Sequence, residues 1–259
     1  MTRNSSNITY LLYKLGSLFI NELNFIIESN KASIVKVASE TDFASRSSSF
    51  SDFVESVARA ALESGNAEVG VTDRLDTGIL LTCAVDDGGK TLKDALDDAI
   101  LAIRENLSIG QATCFRAGKG SILAGYIHGK VSNVAGTSAA IVEIATTDSA
   151  PLSMNKEQME KVGKRLAMHI VAAKPIYLSP NDIPKDIIQN EKNILLEQMS
   201  DSGKPPEILE KIVLGRLRKF YETVCLTEQS HMVEEGNPKV SKFLNKIGLK
   251  VHTFDSTSI

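Results

Sequence analysis

Val35-Lys36-Val37-Ala38-Ser39-Glu40-Thr41-Asp42-Phe43-Ala44-Ser45-Arg46 is the stretch around which the chain organises itself. It begins inside a β-prone run, Lys31 to Ala38, where Ile34, Val35 and Val37 favour a pleated strand. Thr41 and Asp42 break that run, and a helix follows. Phe50, Phe53, Val54, Val57, Ala58, Ala61 and Leu62 recur at i, i+3, i+4, i+7, i+8, i+11 and i+12, a single apolar stripe, until Gly65 and Asn66 end it. A strand, a polar turn carrying one aromatic and an amphipathic helix in immediate succession predict an α+β fold.

Working outward, Ile8 to Ile27 is the most apolar stretch, but Lys14, Asn21, Glu22 and Asn24 interrupt it, so it cannot cross a bilayer as one apolar helix. It predicts a divergent segment, 1–30, that leads into the core as a buried helix or strand. Beyond the first helix, Leu75 to Cys83 reads as a strand and Asp86-Asp87-Gly88-Gly89 as a turn. Leu92, Ala95, Leu96, Ala99, Ile100 and Ile103 form a second helical stripe. Gly118-Lys119-Gly120 introduces a strand from Ile122 to Tyr126, Gly129 to Thr137 is a polar loop, and Ala140 to Ala145 is the returning strand. The pattern predicts two related small α+β subdomains within 31–147, divided near 85/86.

From residue 148 the pattern turns helical. A core helix, 148–175, carries Val162, Leu166, Ile170 and Val171 on one face and stops at Pro175. Segment 176–230 reads as an inserted antiparallel helical hairpin. Its first helix opens at Pro184, its reversal is Ser202-Gly203-Lys204-Pro205-Pro206, and its second carries Leu209, Ile212, Val213, Leu217, Phe220 and Tyr221. The remainder, 231–259, is expected to return to the core, with Val240 to Val251 rejoining the sheet.

Composition narrows the function. The 259 residues carry a formal net charge of −3 and no Trp, which is no footprint for nucleic acid. Cys83, Cys114 and Cys225 form no CxxC pair and read as small apolar residues of a reducing compartment. Gly118-Lys119-Gly120-Ser121 lacks the spacing of a phosphate loop and precedes a strand rather than a helix. His128, His169, His231 and His252 show no i, i+4 pairing, so no metal site and no cofactor is expected. His169 falls in a helix stripe and reads as structural.

Several pieces, taken in order, resemble the elongation factor Ts family. They are the strand and Thr41-Asp42-Phe43 turn quoted above, Ile103-Arg104-Glu105-Asn106, Gly125-Tyr126-Ile127-His128-Gly129, Leu166 through Pro175, Ser202-Gly203-Lys204-Pro205, and Lys211 through Tyr221. The resemblance runs from about Leu15 to the end. It implies a translation elongation role: a guanine nucleotide exchange factor, not an enzyme acting on a substrate bond. Such a factor binds elongation factor Tu, GDP-bound or nucleotide-free, and promotes GDP release by disturbing the magnesium and phosphate side of the nucleotide site.

Read from the residues alone, Phe43 plugs its own core and Asp42 caps the next helix. The resemblance implies instead that Phe43 is a wedge entering the partner, with Asp42 holding the turn there. It further implies partner contacts at Ala44, Ile103, Arg104 and His128; the residues alone make Ile103 part of a helix face and His128 a strand-end residue. Two positions depart from the family: Ala44 stands where Val is usual, and Arg104 where Gly is usual. Nothing before Leu15 matches the family's small N-terminal helical domain, which leaves a family-derived binder of elongation factor Tu with weak or no exchange as the alternative. The long 129–137 loop resembles those of organellar members, implying a mitochondrial location, with plastid or bacterial cytoplasm as alternatives. The hairpin stripes are also compatible with a homodimer.

Overall fold

The computed structural model describes residues 20–65, 68, 72–85, 88–130, 136–147, 154–198 and 206–258. The first sheet is built from β1 (Ile20–Glu28), β2 (Lys31–Ser39), β3 (Thr72–Arg74) and β4 (Leu107–Arg116), in the order β1-β2-β4-β3 and antiparallel throughout. The second contains β5 (Ser121–His128), β6 (Ser138–Thr146) and β7 (Leu249–Ser258), in that order and antiparallel.

Both sheets are buried on two sides, which gives four layers. On β2, Val35 and Val37 face Phe50, Phe53, Val54 and Val57 of α2 (Ser48–Ser64), with α4 (Leu92–Ile103) beside it. Ala32 and Ile34, on the opposite pleat, face Leu123, Ala139 and Ile141 of the second sheet. The far side of that sheet carries Ala140, Val142 and Ile144 against Leu166, Ala167 and Ile170 of α5 (Lys156–Ala173). Burial on both faces replaces polar alternation with near-continuous apolar runs, which is why β2 and β6 stand out in the sequence. The sheets approach closely where Phe25 lies over Gly125: a Cβ there would sit 2.6 Å from the ring.

The paired helices are an excursion from this body. The chain leaves at Ile176–Leu178 and returns at Val224–Thr227. Backbone bonds hold exit and return together, Tyr177 N–H to the Val224 carbonyl (3.0 Å) and Leu226 N–H to the Tyr177 carbonyl (2.9 Å). Between them, α6 (Lys185–Glu197) packs on α7 (Pro206–Val224) through Leu195, Val213 and Leu217. The expected reversal at 202–206 lies outside the described residues, apart from the start of α7.

Three expectations are corrected and one strand is added. Leu75 to Cys83 is not a strand: β3 precedes it, and Asp76 caps a single helical turn, α3 (Thr77–Leu80), by accepting from Ile79 N–H at 2.9 Å. Val240 to Val251 is not one return to the sheet. Val240, Phe243, Leu244 and Ile247 have helical spacing and form α8 (Val240–Ile247), so only β7 rejoins. Residues 107–116 carried no expectation, yet β4 is an interior strand of the first sheet. Finally, the sheets divide the chain between Arg116 and Ser121 rather than at 85/86, because α4 and β4 both pack with the first sheet.

Candidate functional site

At the end of β2 the chain turns through Glu40 and Thr41 into α1 (Asp42–Ser45), one turn of helix. Thr41 is its N-cap, with Oγ1 accepting from Ala44 N–H at 3.3 Å. Ser47, not Asp42, caps α2, accepting from Phe50 N–H at 3.2 Å. Each helix thus has its own N-cap, Thr41 for α1 and Ser47 for α2. Ala44 is 3% exposed and Phe43 82% exposed, so the short helix buries one side and presents the other.

That disposition overturns the core plug: Phe43 fills no space in its own fold. Burying a Phe side chain is worth roughly 1.5–3 kcal/mol, a gain the free protein leaves unrealised. A single exposed aromatic is ordinary on a protein surface. This one differs because its backbone is tied down on every side. Thr41 N–H donates to Glu105 Oε2 at 2.9 Å and Thr41 Oγ1 to Glu105 Oε1 at 2.6 Å. The Thr41 carbonyl accepts from Ser39 Oγ (3.1 Å), and the Ala44 carbonyl accepts from Ser47 N–H and Oγ (3.0 and 2.8 Å). Asn106 Nδ2 donates to Glu40 Oε1 at 2.6 Å, a second link from the same distant segment.

Glu105 and Asn106 reach the turn because α4 stops at Ile103. Arg104 is its C-cap with φ 63 and ψ 33, the left-handed region that a residue with a Cβ adopts at a cost and glycine freely. A Gly at this position would take that conformation without strain. Ile103 is half-buried against the first core, whereas Arg104 is exposed. The structure thus brings Phe43, Ile103 and Arg104 into one locality, joined by Glu105. Ala44 belongs to it only as a buried filler, and Val would add volume inside the turn rather than beside the aromatic. The side chain of Asp42, and with it the acceptor role expected there, lies outside what is described.

His128 is the exposed last residue of β5. Its Nδ1 lies 3.2 Å from the Tyr126 hydroxyl, and its carbonyl accepts from Thr137 N–H at 2.9 Å. It is linked to the Phe43 turn through β1: Ile20 pairs with Ser39, and Leu23 exchanges two 3.0 Å backbone bonds with Gly136, next to Thr137. Most of the loop after His128, 131–135, lies outside the described residues. Thr41 and Glu105 are the site residues that sequence reading passed over. Both were inside quoted motifs, but nothing local in either shows that they meet across 64 positions.

His169 is buried within the second core, where its Nδ1 accepts from Met232 N–H at 3.2 Å and its Nε2 meets Gln229 Oε1 at 3.1 Å. It is structural. Cys114 and Cys225 are buried and Cys83 is half-buried, all as free thiols. Among the described residues no group of three or more His, Cys, Asp or Glu comes together as metal ligands, and no helix is long and apolar enough to cross a membrane.

The same segment that begins at this turn is matched by a family model: residues 40–259 fit the one described as Elongation factor TS. The chain belongs to the elongation factor Ts family. It is 34% identical over 221 residues to Elongation factor Ts of Paramagnetospirillum magneticum, covering 85% of this chain and 65% of that protein. It is 33% identical over 206 residues to Elongation factor Ts of Rhizobium etli (80% and 62% covered), and 35% identical over 205 residues to that of Brucella ovis (79% and 61%). The chain therefore spans just under two thirds of the length of these curated relatives.

Proposed function

We propose that this protein is a guanine nucleotide exchange factor that binds elongation factor Tu and speeds its release of GDP, with Phe43 as the wedge. The observation that carries this reading is the 82% exposure of Phe43 on a backbone whose donors and acceptors are fixed by Glu105, Ser39 and Ser47. An aromatic held rigidly in solvent loses little conformational freedom on entering an apolar pocket. Ile103, Arg104 and His128 extend the same contact surface, and the disturbance falls on the magnesium and phosphate side of the partner's nucleotide.

The action requires no catalytic acid or base. Binding nucleotide-free partner more tightly than GDP-bound partner weakens GDP by the same factor. Each tenfold of weakening needs about 1.4 kcal/mol of differential contact. We place the protein in the mitochondrion on the length of the 129–137 connection. The competing reading, a binder with little exchange activity, draws on Arg104 standing where Gly is usual. Cognate elongation factor Tu loaded with a fluorescent GDP analogue separates the two. Acceleration that rises with added protein and saturates supports exchange; a complex that forms without acceleration supports the binder. Neither complex nor acceleration removes both.

A further inference from the structure

The Glu105 carboxylate grips the Phe43 turn from a different part of the chain with both of its oxygens. One accepts the Thr41 backbone N–H and the other the Thr41 hydroxyl, at 2.9 and 2.6 Å. Hydrogen bonds to an ionised carboxylate are among the stronger ones, and two in parallel fix direction as well as distance. The Thr41 hydroxyl also accepts from Ala44 N–H, so the carboxylate orients the group that caps α1. Glu105 is set at the end of α4 by the left-handed Arg104, on a helix anchored in the first core by Leu92 and Ala99. A rigid element therefore holds a one-turn helix, too short to persist alone, in the orientation that buries Ala44 and presents Phe43.

We propose that Glu105 is the positioning residue of the Phe43 wedge. It keeps the turn in its partner-ready orientation before the partner arrives, so its loss lowers the competent fraction rather than removing a contact. This rests on the exchange reading for its functional consequence, but the positioning itself is a property of the free protein. If the turn is competent only a fraction of the time, apparent affinity falls by that fraction. Losing two charge-assisted bonds sets the expected loss at about 10-fold.

Two measurements test it. The chain has no Trp, so Phe43→Trp provides a single-tryptophan reporter. Adding Glu105→Ala should give that reporter a faster, larger-amplitude local anisotropy decay while the far-ultraviolet circular dichroism stays unchanged; Glu105→Gln, which keeps one acceptor oxygen, should fall between. An unchanged decay with Glu105→Ala overturns the positioning role. In GDP release, Glu105→Ala should raise the half-saturating concentration about 10-fold with the saturated rate nearly preserved. The double variant Phe43→Ala/Glu105→Ala should be no slower than Phe43→Ala alone, because Glu105 acts through Phe43. Independent, multiplying losses overturn the proposal. Should wild-type protein fail to accelerate release, the exchange reading falls while the anisotropy still decides whether Glu105 holds the turn. Where Glu105→Ala proves unstable, Glu105→Gln, which leaves the Thr41 cap in place, carries the same comparison.

Discussion

Phe43 and Ala44 are adjacent, yet one stands in solvent and the other is sealed in. Because Phe43 touches little of its own fold, Phe43→Ala should move the midpoint of urea unfolding by less than about 0.5 kcal/mol. GDP release should slow at the same time. A loss of several kcal/mol would return Phe43 to the core. Arg104 offers the opposite sign. Its φ of 63 strains any residue with a Cβ, so Arg104→Gly should stabilise the protein by about 1 kcal/mol, read as a raised unfolding midpoint. From the sequence alone Phe43 passed for a core residue, since an aromatic after a strand usually is one. Its exposure depends on a carboxylate 64 positions from Thr41, and no local pattern encodes such a meeting.

At the scale of elements, the long helices were legible because each buries a single stripe. Thus α2 buries Phe50, Phe53, Val54, Val57, Ala58, Ala61 and Leu62 at the expected spacing. The β4 strand was not, because Ser108, Gly110, Gln111 and Thr113 dilute its apolar signal and its burial comes from neighbours far along the chain. Helix α5 supplies a test of packing against propensity. A Cβ at Gly163 would lie 2.5 Å from Ala124 Cβ, on a strand that cannot swing aside. Gly163→Ala gains up to about 1 kcal/mol in helix propensity but incurs about 1–3 kcal/mol of overpacking. Overpacking wins, and the thermal midpoint should fall. A rise would mean that α5 can lift off β5. At the head of α2, Ser47→Ala should cost about 1 kcal/mol by the same assay, because the cap to Phe50 N–H is lost.

The whole molecule carries a pH dependence in its second core. His169 and His231 are both fully buried, with ring centroids 5.0 Å apart. Each accepts a backbone N–H at Nδ1, from Met232 and Val233, so each is held as a neutral ring protonated at Nε2. Burial pushes His231 down to about 4, with the His169 ring and the Arg165 charge adding to it. Burial likewise lowers His169, against a raising contribution from Gln229. An unfolded His titrates near 6.5, so as pH falls the unfolded chain takes up protons first. The associated stability is complete above about pH 6.5 and is lost as pH falls toward about 4. His231 alone should make the protein about 2 kcal/mol less stable at pH 5 than at pH 7.5. Urea titrations at the two pH values read this directly; equal midpoints would show that the rings titrate normally.

The fold thus combines a two-sheet body, an excursion of paired helices and one rigidly presented aromatic, and its central claim concerns that aromatic. The most direct test is stopped-flow release of a fluorescent GDP analogue from elongation factor Tu at saturating concentrations of wild-type protein and of Phe43→Ala, each shown to be folded. Wild-type protein should accelerate release strongly, and Phe43→Ala should lose most of that acceleration while still forming the complex. Equal acceleration by the two proteins would contradict the wedge.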